Sequence, residues 1–155
     1  MRLSNQDIQK YHRHRYPYLL VDCIEEINPG ESAYGYKNFT EDEWIFHCNI
    51  YDDEPVPFTM IVEVLTEVFL LPILTLNDNA GKITNFISAD NVEIFGDIHA
   101  GDRLDVKAEV KSWKRGVATG TVEGFVRGNV VVKASLKFVI PEIMESYRPK
   151  AILHQ

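Results

Sequence analysis

Two carboxylates, Glu63 and Glu67, stand four residues apart in an otherwise almost wholly apolar run, and His47 lies in the acidic segment upstream. These are the residue types that general acid–base chemistry needs. A histidine, with an unperturbed pKa of about 6.5, can take a proton near neutral pH. A carboxyl group can give one only where burial or a neighbouring negative charge keeps it protonated. Glu67, one helical turn beyond Glu63, is such a neighbour and opposes its ionisation. On residue type alone the same carboxylates also describe a wet groove, and His47 a surface or structural histidine. His12, His14, His99 and His154 have no spacing that favours a metal site.

The apolar run must be the element that positions the carboxylates. Pro57 suits a helix start, because its missing N–H would be unpaired there anyway. From Phe58 to Leu76 apolar residues fall on nearly every side, which marks a core helix. Its polar exceptions, Thr59, Glu63, Thr66 and Glu67, recur at spacings of three and four and form one narrow stripe. Pro55–Leu76 is long enough to cross a bilayer, but Glu63, Glu67 and Pro72 favour a buried helix of a soluble protein. Residues around Phe58 and Thr59 would leave first-turn N–H groups without intrahelical acceptors.

The rest reads mainly as strands. Tyr18–Asn28 ends at the turn signal Pro29-Gly30, and Ala33–Phe39 returns. Glu41–Glu54 reads as a loop. Thr84–Phe95 is a long strand-like segment. From Leu104 to Lys111 apolar and charged residues alternate, and turns at Lys114-Arg115-Gly116 and Arg127-Gly128-Asn129 connect three strands into an antiparallel meander. A sheet wrapped around one apolar helix is an α+β architecture.

The bulk properties set bounds. A chain of 155 residues fits one domain, 1–155, without a disulfide or metal staple. The net charge of −7 argues against a nucleic-acid partner. Cys23 and Cys48 form no metal-ligand pattern, and so few cysteines fit a reducing, cytoplasmic setting. No signal peptide is legible near the start.

Three stretches resemble the β-hydroxyacyl-[acyl carrier protein] dehydratase family, whose fold is the hot-dog fold. They are His14-Arg15-Tyr16-Pro17-Tyr18-Leu19-Leu20-Val21-Asp22, Pro57–Glu67, and Phe86–Asp102. The resemblance implies an antiparallel sheet around one helix, working as a homodimer without a cofactor or metal. It implies dehydration of a (3R)-hydroxyacyl thioester, carried by acyl carrier protein or coenzyme A, in fatty-acid or related polyene or polyketide synthesis. His47 falls at the family's base and Glu63 at its acid. Phe58 falls at its carbonyl donor, with Thr59 and Glu67 beside the substrate. The sequence departs from the family at Phe46 and Phe58, where the family has Gly, at Glu67, where it usually has Gln, and by a short insertion after His47. Two other readings on the same fold are a non-catalytic acyl-binding or heteromeric partner subunit and an acyl thioesterase.

Overall fold

The computed structural model describes residues 1–47 and 54–149. Cys48, His154 and the inserted part of the loop after His47 lie outside the described residues. Seven strands form one antiparallel sheet: β1 (Leu3–Ser4), β2 (Cys23–Asn28), β3 (Ser32–Asn38), β4 (Asn85–Ile94), β5 (Arg103–Lys114), β6 (Val117–Val126) and β7 (Asn129–Val139). Their order is β1-β2-β3-β5-β6-β7-β4. Helices α1 (Asn5–Ile8), α2 (Trp44–His47) and α4 (Pro141–Ser146) are short, whereas α3 (Phe58–Leu74) is the long central helix.

The expected meander is β5–β6–β7. Its two hairpins turn through residues with positive φ, Arg115-Gly116 and Arg127-Gly128, the backbone that matches the right-handed twist of paired strands. Along β6 every second residue is buried, as one wet and one dry face require. Two of the inward positions are glycines for a packing reason. A Cβ at Gly120 would lie 2.5 Å from the Phe69 ring and 2.1 Å from the Glu109 carbonyl oxygen. One at Gly124 would crowd Val132 and Leu104. Side-chain-free positions let α3 nest against the middle of the sheet.

α3 carries the core. Val64, Leu65, Val68, Phe69, Leu71 and Ile73 are fully buried, facing apolar side chains from β5, β6 and β7. Its C-terminal end is tied down where Gly30 N–H, in the β2–β3 turn, donates to the Pro72 carbonyl at 2.7 Å. Among the described residues, no helix is long and apolar enough to cross a membrane.

The stretch read as a loop upstream of α3 contains α2, and α1 and α4 were not anticipated. Elements of four to six residues carry no readable period. α1 owes its start to a reciprocal cap, in which Ser4 accepts from Asp7 N–H and Asp7 accepts from Ser4 N–H.

The two sheet edges differ. β1 has only two residues and runs straight into α1. β4 has ten, with Phe86, Ile87 and Ile94 about half exposed and Phe95 exposed just beyond them.

Candidate active site

A cleft of about 550 Å³ opens between the N-terminal half of α3 and the β4–β7 end of the sheet. His14, Phe58, Thr59 and Glu63 line one side; Thr84, Phe86, Ala89 and Phe138 line the other. The cleft is mostly apolar, and its titratable groups are His14 and Glu63.

The segment from His12 to Asp22 crosses beneath this cleft. Arg15 fixes its course by donating to the carbonyls of Gln9, His12 and His14. Farther on, Asp22 N–H donates to the Tyr36 carbonyl, and the Asp22 carboxylate accepts from Asn38 N–H at 2.6 Å, joining the segment to β3. Between these anchors the Leu20 and Val21 N–H groups point at α3. Both donate to the Glu67 carboxylate, at 2.9 Å to Oε2, with a second Leu20 contact of 3.2 Å to Oε1. Glu67 is fully buried, so these charge-assisted bonds are what make an anion tolerable there. Beside it, buried His12 donates from Nε2 to the Glu67 carbonyl oxygen at 2.8 Å, which requires the Nε2–H tautomer. Burial holds His12 below the ordinary histidine value, so the ring favours its neutral form.

Above this layer, His14 stacks on His12 with ring centres 5.7 Å apart. Its Nδ1 lies 3.5 Å from Glu63 Oε1 and 3.5 Å from Glu67 Oε1. The Glu67 carboxylate, at the outer limit of hydrogen-bonding distance, raises the His14 pKa. Burial opposes that rise and Glu63 adds to it. Glu63 is shifted too: burial raises its carboxyl pKa, Glu67 raises it further, and His14 pulls it back. The like-charge effect anticipated from the spacing is therefore present, second to burial. One ligand atom from each of His14, Glu63 and Glu67 lies within 4.8 Å of the others. Both Glu67 oxygens already accept backbone N–H groups, which leaves the cluster better suited to holding a proton than a cation.

The remaining site residues fall as follows. Phe58 and Thr59 open α3 on the rim of the cleft, and Phe58 is 40% exposed. Pro57 caps the helix without a side-chain hydrogen bond, leaving first-turn N–H groups available. Glu67, grouped above with the substrate-facing residues, has no route to a substrate: it is sealed in the core because its oxygens cap Leu20 and Val21. The polar stripe thus splits, its first part on the cleft and its last part inside. His47 ends α2 and is exposed, and within one chain it does not line the cleft. α2 is held by Glu43, which accepts from Thr40 N–H and pairs with buried Lys37 at 2.8 Å. Sequence reasoning passed over His14, although Glu63 and Glu67 at a four-residue spacing called for a cationic neighbour.

One apolar helix wrapped by a seven-stranded antiparallel sheet, with a carboxyl group in a cleft near the helix start, is the hot-dog fold. Solved structures share it: a chain of the dehydratase heterocomplex ApeI:P from Xenorhabdus doucetiae matches with a TM-score of 0.72 over 91% of this chain and 97% of that one, at 13% identity. The TT0310 protein of Thermus thermophilus matches with a TM-score of 0.61 over 81% and 98%, at 19% identity. Within that fold, the chain belongs to the FabA-like domain family, whose pattern residues 13–135 match. Its relatives include the 3-hydroxyacyl-[acyl-carrier-protein] dehydratase FabZ of Halalkalibacterium halodurans, 36% identical over 89% of this chain and 99% of that one. The enzyme of the same name from Bacillus licheniformis is 34% identical over 92% and 99%.

Proposed function

We infer that the protein is a hydro-lyase that dehydrates 3-hydroxyacyl thioesters on acyl carrier protein in fatty-acid biosynthesis. The observation that carries this reading is Glu63, half-buried with a raised carboxyl pKa on an apolar cleft, in a chain whose relatives of that name align along almost their whole length. The reaction is a redox-neutral elimination. A base removes the proton next to the thioester carbonyl, an acid protonates the 3-hydroxyl, and water leaves as the double bond forms. Glu63 is the acid. His47 is the base, delivered by the partner subunit of a homodimer, which accounts for its position away from the cleft of its own chain. The Phe58 N–H donates to the thioester oxygen as charge develops there, with Thr59 beside it. No cofactor enters this chemistry.

The dimer forms through β4. A ten-residue edge strand with exposed Phe86, Ile87 and Ile94 presents unpaired backbone groups and apolar side chains together, and a second copy of the same edge satisfies both. The chain acts as one domain, in the cytoplasm.

Purified protein incubated with 3-hydroxyacyl thioesters on carrier protein and on coenzyme A, followed by mass, tests the reading. The expected product has lost one water, with the loss abolished in His47→Ala and Glu63→Gln. Hydrolysis without water loss would instead make the protein a thioesterase. A well-folded dimer with no turnover on either carrier would make it an acyl-binding or partner subunit.

A further inference from the structure

His14 Nδ1 is shut away from solvent and has no close hydrogen-bond partner, yet it faces two carboxylates at equal distance. The two are unlike. Glu67 is immobilised by the Leu20 and Val21 N–H groups and has no contact with solvent. Glu63 is 39% exposed at its side chain, and among the described residues no hydrogen bond holds its carboxylate. With no proton on any of the three, the cluster would carry two negative charges in a half-closed site, which favours keeping a proton there. The groups facing His14 are His12 and Arg15 on its own segment and Glu63 and Glu67 on α3. The opposite wall of the cleft, Thr84, Phe86, Ala89 and Phe138, contributes no charge.

We propose that His14 is the positioning residue of the acid: its Nδ1 and the Glu63 carboxyl share a single proton, and the fixed charge of Glu67 retains that proton in the pair. The proton sits either on Glu63, which then donates to a neutral imidazole, or on His14, which then donates to the Glu63 carboxylate. Its role in turnover rests on the dehydratase reading. As the 3-hydroxyl departs, the Glu63 O–H bond breaks, the new bond to the leaving oxygen forms, and water is released. The pair is left as carboxylate and neutral imidazole beside Glu67. That excess negative charge draws a replacement proton from solvent through the exposed side of Glu63. The two neighbours act on the acid in opposite directions: Glu67 raises the Glu63 pKa and His14 lowers it, so His14 sets how readily Glu63 gives its proton up.

Two measurements test this on the full-length protein. The first is the pH profile of kcat for wild type, His14→Asn and Glu67→Gln; Asn keeps an N–H near the Nδ1 position but cannot titrate. In Glu67→Gln the alkaline limb is expected to move to lower pH, with kcat about tenfold lower above the wild-type midpoint, and in His14→Asn it is expected to move to higher pH, with KM within about twofold in both. An unshifted limb, or a loss seen equally at every pH, would overturn the proposal, since a structural role predicts the latter. The second is the His14 imidazole titration by NMR in wild type, Glu63→Gln and Glu67→Gln, which needs no turnover. Its midpoint is expected to fall in both variants, and unchanged midpoints would sink the shared proton. If the midpoints fall while the wild type dehydrates nothing, the proton pair stands and the dehydratase reading fails.

Discussion

The site has two layers built from the same residue types, and they behave as opposites. In the inner layer His12 and Glu67 are buried, held by hydrogen bonds of 2.8 and 2.9 Å, with the histidine favouring its neutral form. In the outer layer His14 and Glu63 are half exposed, their contact is 3.5 Å, and both pKa values are displaced upward. What separates the layers is satisfaction of polar groups, not residue choice. Where backbone N–H groups meet a carboxylate, the charge becomes part of the framework. Where they do not, it remains free to exchange a proton.

If the layers divide labour in this way, substitutions should separate activity from stability. The largest effect belongs to Glu63→Gln, which should lower kcat by roughly 10²–10⁴-fold. Its unfolding free energy should stay within about 0.5 kcal/mol of wild type, a range typical of partly exposed sites. Steady-state rates beside urea unfolding would check both numbers, and a large stability loss would break the comparison. Glu67→Ala should do the reverse within the inner layer. It strands two buried N–H groups and should cost about 3 kcal/mol in urea unfolding, whereas Glu67→Gln, whose amide oxygen still accepts, should cost clearly less. His12→Leu comes next, at about 1–2 kcal/mol, because the Glu67 carbonyl loses its donor.

The smallest effect is in the pH dependence of stability, and the two histidines should pull in opposite directions. His14 is raised above 6.5, so its contribution is complete below that value and is lost as pH rises through the folded-state pKa. His12 is lowered below 6.5, so its contribution is present above that value and is lost as pH falls toward the folded-state pKa. Thermal melts across this range should show His14→Asn flattening the alkaline slope and His12→Leu the acidic one. The same flattening from both variants would show that the rings titrate as one unit.

Much of this arrangement was legible beforehand. The core helix, the β5–β7 meander and its two turns followed from apolar periodicity and from glycines where positive φ is needed, and the α+β sheet-around-helix architecture followed from them. Glu63 was legible because a carboxylate in an apolar helix calls for an explanation. The split between Glu63 and Glu67 was not, because it depends on where the Leu20 and Val21 N–H groups point, more than forty residues away in the chain. His14 was hidden for the same reason: its importance comes from two side chains on a distant helix. The short helices α1, α2 and α4 depend on single caps and turns, which periodicity cannot register.

The open β4 edge has a consequence for how the protein is handled and made. If that edge is completed only by a second copy, the folded state draws stability from mass action, and each tenfold dilution removes about 1.4 kcal/mol per dimer. A chain newly released at low concentration would spend its first moments with the ten-residue β4 edge, and its Phe86, Ile87 and Ile94, uncovered. Expression level and order of assembly then become part of what keeps the fold intact, alongside the contacts within one chain.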